Sequence, residues 1–138
     1  MILALWMNGC AARDSAARNP LEPELKPEAA DFSLSGRREL KAVFRITNSG
    51  RQPVRFDFPT GQNFEVQLFG RAAAPLYLWS EDRLFAPSPS QVVVNPDERL
   101  EYEFALPTRD MVAGGIYRVV AALPGYPGTE RTVELRPR

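Results

Sequence analysis

Leu40-Lys-Ala-Val-Phe-Arg-Ile-Thr-Asn-Ser-Gly-Arg-Gln-Pro-Val-Arg-Phe-Asp-Phe-Pro-Thr-Gly-Gln-Asn-Phe-Glu-Val-Gln-Leu-Phe69 is the stretch that decides the fold. It holds three alternating apolar runs. Leu40, Ala42, Phe44 and Ile46 share one face of the first; Val54, Phe56 and Phe58 of the second; Phe64, Val66 and Leu68 of the third. Lys41, Arg45, Arg55, Asp57, Glu65 and Gln67 stand between them. Period-two alternation marks strands with one face buried. Asn48-Ser49-Gly50 and Pro59-Thr60-Gly61 supply turn residues between the runs. Three consecutive half-apolar strands need a second apolar layer to cover them.

Working outward, Phe32 and Leu34 alternate with Ser33 and Ser35, and Gly36-Arg37-Arg38 turns that short strand into the long one. Downstream, Leu76 to Ser80 reads as a short strand. Ser80 to Ser90 reads as a long loop, because Pro87 and Pro89 prevent regular pairing. Val92 and Val94 precede the turn Asn95-Pro96-Asp97-Glu98. Leu100, Tyr102, Phe104 and Leu106 form a half-buried strand, and Ile116 to Leu123 is apolar enough for a central one. Pro124 to Gly128 is a dense turn signal before a last strand over Thr129 to Leu135. No helix has an apolar stripe. The pattern predicts an all-β, immunoglobulin-like antiparallel β-sandwich of about seven to nine strands. Tyr117, opening the penultimate strand after Gly114-Gly115, sits where such sandwiches place a tyrosine that hydrogen-bonds back to the preceding connection. Its hydroxyl is expected to find a backbone acceptor there. Trp79 is expected to serve as a large packing residue.

The chain has 138 residues, with 17 basic and 17 acidic side chains and no net charge. No basic excess recruits nucleic acid or anionic lipid. A single cysteine rules out an internal disulfide. The absence of histidine removes the commonest general base and zinc ligand. No catalytic set, metal site or cofactor motif emerges, so no enzyme activity and no cofactor are expected. Glu101 and Glu103 are spaced as a carboxylate pair, but strand alternation sends both to a solvated face.

The start of the chain reads differently. Ile2 to Met7 is apolar and is followed by Asn8-Gly9-Cys10. Residues 1–10 are read as the remnant of a lipoprotein signal ending at Cys10, which would carry lipid; the alternative is an incidental free cysteine. Residues 11–29, rich in alanine and proline, are expected to form a tether. The folded domain is expected to span 30–138. Membrane association is expected only through Cys10.

Asn48-Ser49, Pro53-Val54 and the run Phe56-x-Phe58-Pro59-Thr60-Gly61-Gln62 resemble the start of the BsuPI family of bacterial intracellular proteinase inhibitor domains. Phe64-x-Val66, Gly70, Leu78-Trp79-Ser80, Phe85, Gln91, Asn95-Pro96-Asp97-Glu98, Tyr102 and Gly115-x-Tyr117 continue the resemblance in order. The family usually has glycine where Asp97 stands, which implies a turn that does not demand positive φ. The resemblance implies a non-catalytic protein-binding module that inhibits a proteinase, with a serine protease as partner and the cytoplasm as its place. A rigid sandwich can do this by offering a preorganised loop. Arg83, Leu84, Phe85 and Pro87 are the candidate contacts, Leu84 first, since Phe85 matches a recurrent family position and is expected to fold back. The lipoprotein-like start supports a different class: a tethered structural or adhesive module of the bacterial envelope.

Overall fold

The computed structural model describes residues 20–138. Its ten strands are β1 (Leu21–Pro27), β2 (Asp31–Phe32), β3 (Glu39–Asn48), β4 (Val54–Phe58), β5 (Glu65–Phe69), β6 (Tyr77–Leu78), β7 (Ser90–Val94), β8 (Arg99–Pro107), β9 (Tyr117–Leu123) and β10 (Tyr126–Pro137). There is no helix among the described residues. One sheet has the order β1-β3-β8, the second β2-β10-β9-β5-β6, and β4 and β7 form a separate ribbon. The inner faces share one apolar core, so the protein is an all-β sandwich. The strand number exceeds the expected seven to nine because β1 lies in the segment expected to be a tether. All pairs are antiparallel except β2 with β10, which run parallel.

The alternation in the deciding stretch becomes the core. Leu40, Phe44 and Ile46 of β3, Phe56 and Phe58 of β4, and Val66 and Leu68 of β5 are all buried. Leu106, Val119, Leu123 and Leu135 close over them from β8, β9 and β10. Each large apolar side chain removed from water contributes roughly 1.5–3 kcal/mol. Tyr126 ties the ribbon to the second sheet. Its ring meets Phe56 edge-on at 4.9 Å, and its hydroxyl accepts the Asp57 N–H at 2.8 Å.

Two expectations need correction. The tether was expected to reach residue 29, yet β1 pairs with β3 along its whole length, from Leu21 opposite Asn48 to Pro27 opposite Ala42. The domain therefore begins no later than β1, and only the earlier part of the expected tether, with Cys10, lies outside the described residues. Pro23 faces Ile46 and Pro27 faces Ala42, while the Glu28 N–H reaches Lys41 O at 2.8 Å. The prolines thus occupy the alternate positions whose nitrogens point away from β3, where a missing donor costs nothing on an edge strand. Leu25, between them, is buried in the core.

The turn before β8 also differs. Asp97 adopts φ 66°, and the Glu98 N–H bonds Asn95 O at 3.0 Å. With proline second and a positive φ third, this turn does demand what glycine gives freely. Aspartate is among the few other residues that enter that region. Its own N–H is held by Asn48 O at 2.8 Å. Asn48 is fully buried and satisfied: its amide nitrogen donates to Gln52 O (2.8 Å) and Val94 O (2.9 Å), and its amide oxygen accepts the Gly50 N–H (2.9 Å).

Candidate functional site

The loop from Ser80 to Ser90 leaves the sandwich after β6 and returns as β7. Its first residues form successive tight turns: the Glu81 N–H bonds Leu78 O at 3.1 Å and the Arg83 N–H bonds Ser80 O at 3.2 Å. Its entry is clamped by Glu65. That carboxylate accepts the Ser80 N–H at 3.1 Å, the Ser80 hydroxyl at 2.5 Å and the Gln62 side-chain amide at 2.8 Å. Hydrogen bonds to a carboxylate are stronger than neutral ones, so this junction is firmly held.

The far limb is held as well. The Gly61 N–H donates to Ala86 O at 2.8 Å. A Cβ on Gly61 would stand 3.2 Å from the Ala86 nitrogen, so glycine permits the close approach. The Ser90 hydroxyl donates to Thr60 O at 2.5 Å. The Pro-Thr-Gly-Gln turn after β4 is therefore the cradle of the loop, a role that alternation alone does not reveal.

Beneath the loop lies a line of aromatic rings. Phe85 lies 5.8 Å from Trp79, Trp79 lies 4.2 Å from Phe64, and Phe64 stacks on Tyr102 at 4.4 Å. Phe64 is buried, while Trp79 and Tyr102 are half-buried at the rim of the core. Desolvation raises the Tyr102 hydroxyl above its ordinary pKa, partly offset by a hydrogen bond with Asn63.

The four candidate contact residues are thus brought together on one loop but in different states. Arg83 folds back, its guanidinium 4.3 Å from the centre of the Trp79 ring and its Nε donating to Trp79 O at 3.0 Å. Phe85 folds back onto the same indole. Pro87 is exposed on the returning limb. Leu84, between the two anchored neighbours, is 101% exposed, against 68% for Val112, the next most exposed large apolar residue among the described residues. Tyr117 lies at the other end of β9 and β5 from the loop's clamp, since Phe69 pairs with Arg118 and Glu65 with Ala122. Its hydroxyl accepts the Val112 N–H instead of donating to a backbone acceptor.

Sequence reasoning missed Glu65, which it sent to the solvated face; it is partly buried by its bonds to the loop. Glu101 does face solvent, where it pairs with Arg45 at 3.0 Å and Arg99 at 3.4 Å. Arg45 and Lys26 in turn approach Glu24, whose carboxyl is held below its ordinary range chiefly by the hydrogen bond from Lys26. Among the described residues no group of three or more acidic, histidine or cysteine side chains is arranged to hold a metal.

The family profile described as BsuPI, intracellular proteinase inhibitor, matches residues 28–127. The chain belongs to the BsuPI family. Strand β1 lies ahead of the region by which this BsuPI protein is recognised. No curated protein matches it in sequence. Among solved structures it is similar to the sporulation control protein Spo0M of Bacillus subtilis, with a TM-score of 0.55 and 12% identity over 88% of this chain and 50% of that one. It is also similar to red sea bream transglutaminase, with a TM-score of 0.52 and 12% identity over 91% of this chain and 18% of that one. A β-glucosidase of Erythrobacter marinus gives a TM-score of 0.50 and 13% identity over 86% of this chain and 15% of that one. This BsuPI protein thus spans from 15% to half of the length of these three. At such identities the likeness is one of fold alone.

Proposed function

We propose that this BsuPI protein is a non-catalytic proteinase inhibitor that acts by presenting the Ser80–Ser90 loop to a protease cleft. The observation that carries the reading is the contrast within the loop. Its backbone is fastened at Ser80 by Glu65 and at Ala86 by Gly61, while Leu84 stands free at its tip. A protease cleft binds extended backbone plus one deeply inserted side chain. A loop already held in place loses little conformational freedom on entering it, and that saving appears as affinity. Family membership supplies the protease as partner. The family's description as intracellular favours the cytoplasm over the envelope as the place of action.

The test is recovery of partners from the source cell's soluble and envelope fractions, using the full chain and a variant whose residues 82–88 are replaced by glycine and serine. A protease captured in near-stoichiometric amount by the full chain and lost with the replaced loop supports the reading. Capture of the same proteins by both, or of no protease, contradicts it.

A further inference from the structure

We infer that Leu84 is the side chain that fills the primary specificity pocket of the target, and that the target is therefore a protease whose pocket is deep and apolar. The inference rests on the inhibitory reading above and goes beyond it to a residue and a substrate class.

Three observations carry it. First, Leu84 is as exposed as a leucine in an extended peptide, at 101%, so nothing in the domain has to be broken for it to enter a pocket. Second, both its neighbours are in contact with Trp79. Arg83 lies 4.3 Å over the Trp79 ring, and Phe85 packs 5.8 Å from the same ring. One indole therefore grips the side chains on both sides of Leu84 and leaves Leu84 to project. Third, the indole is itself fixed, 4.2 Å from the buried Phe64, so the projection is referred to the core and not to a mobile loop.

The chemistry of the pocket follows from the side chain. Leucine brings no charge and no hydrogen-bonding group. An acidic pocket of the trypsin type would have its carboxylate desolvated and unpaired by it. An apolar slot of the chymotrypsin type gains the full transfer of an exposed leucine out of water. Arg83, the only basic residue between Ser80 and Ser90, is engaged with Trp79 by both its guanidinium face and its Nε.

The experiment measures inhibition constants of the full chain against chymotrypsin and trypsin with small chromogenic substrates. The native chain is expected to inhibit chymotrypsin at least about 100-fold more strongly than trypsin, the scale of a central buried contact. Leu84→Asp should weaken chymotrypsin inhibition by a similar factor, and Leu84→Lys should reverse the preference between the two proteases. Neither change should move the unfolding midpoint, because the leucine is fully exposed. If the native chain inhibits chymotrypsin and both variants match it, another residue fills the pocket; the assignment of Leu84 is overturned and the inhibitory reading stands. If the native chain prefers trypsin, or inhibits neither enzyme, the apolar-pocket assignment is overturned. The partner recovery with the replaced loop then decides separately whether inhibition itself falls.

Discussion

The backbone N–H of Val112 donates to the hydroxyl of Tyr117 at 2.7 Å, closing the connection between β8 and β9 onto the strand that follows it. Gly115 lies between them for a steric reason. A Cβ there would stand 2.9 Å from the Tyr117 ring and 3.0 Å from Val112 O. The tyrosine ring is buried, but Val112 is exposed, so water can replace the lost acceptor. Tyr117→Phe is therefore expected to cost about 0.5–1.5 kcal/mol, the net worth of one hydrogen bond. Gly115→Ala should cost more than that, since it displaces the ring as well. Urea unfolding of both variants checks the order; a Gly115→Ala variant as stable as the native chain would contradict the packing described.

Strand β1 carries the second prediction. Leu25 is buried opposite Phe44, so Leu25→Ala should destabilise the domain by about 2–4 kcal/mol. Removal of residues 1–27 should cost at least as much, because it also strips one edge of β3. A tether would tolerate both. Thermal unfolding of the two variants distinguishes the cases, and unchanged midpoints would return this segment to the role of a spacer.

At the turn before β8, Asp97 occupies a backbone region that glycine enters without strain. Relief of that strain is offset in part by the greater freedom of glycine in the unfolded chain. Asp97→Gly should stabilise the protein by about 0.5–1 kcal/mol, while Asp97→Val should destabilise it. Denaturant midpoints read both signs; a destabilised glycine variant would mean that the aspartate side chain does more than tolerate the turn.

The strands were legible because their apolar residues alternate, as Leu40 to Ile46 and Leu100 to Leu106 do without interruption. The folding-back of Phe85 was legible for another reason, its recurrence in the resembling family. What escaped was whatever depends on a partner distant in sequence. Pro23 and Pro27 look like parts of a tether until β3 is beside them and their nitrogens are seen to face outward. Asp97 looks compatible with an ordinary turn until Asn48 O fixes its N–H. Glu65 alternates correctly as an outward residue, and only the return of Ser80, fifteen positions later, turns it into a clamp. The direction of the Tyr117 hydrogen bond was hidden too, because a hydroxyl can serve as donor or acceptor.

Glu65 is the residue through which the sandwich should control the loop. Glu65→Ala removes the acceptor of the Ser80 N–H and hydroxyl together. A hydrogen bond to a charged group contributes about 1.5–3 kcal/mol, so hydrogen exchange at Ser80 should quicken by roughly 10- to 100-fold. The strand amides of β3 should exchange at a nearly unchanged rate relative to global stability. Unaltered exchange at Ser80 would show that the loop is held by its aromatic base and not by this carboxylate.

A loop that occupies a protease's substrate cleft excludes substrate from it, and steady-state inhibition kinetics read that exclusion. The full chain is titrated against an apolar-pocket serine protease at several concentrations of a short peptide substrate. Competitive inhibition at one-to-one stoichiometry is expected, with apparent affinity falling as substrate rises. Inhibition independent of substrate concentration, or none at all, would contradict it.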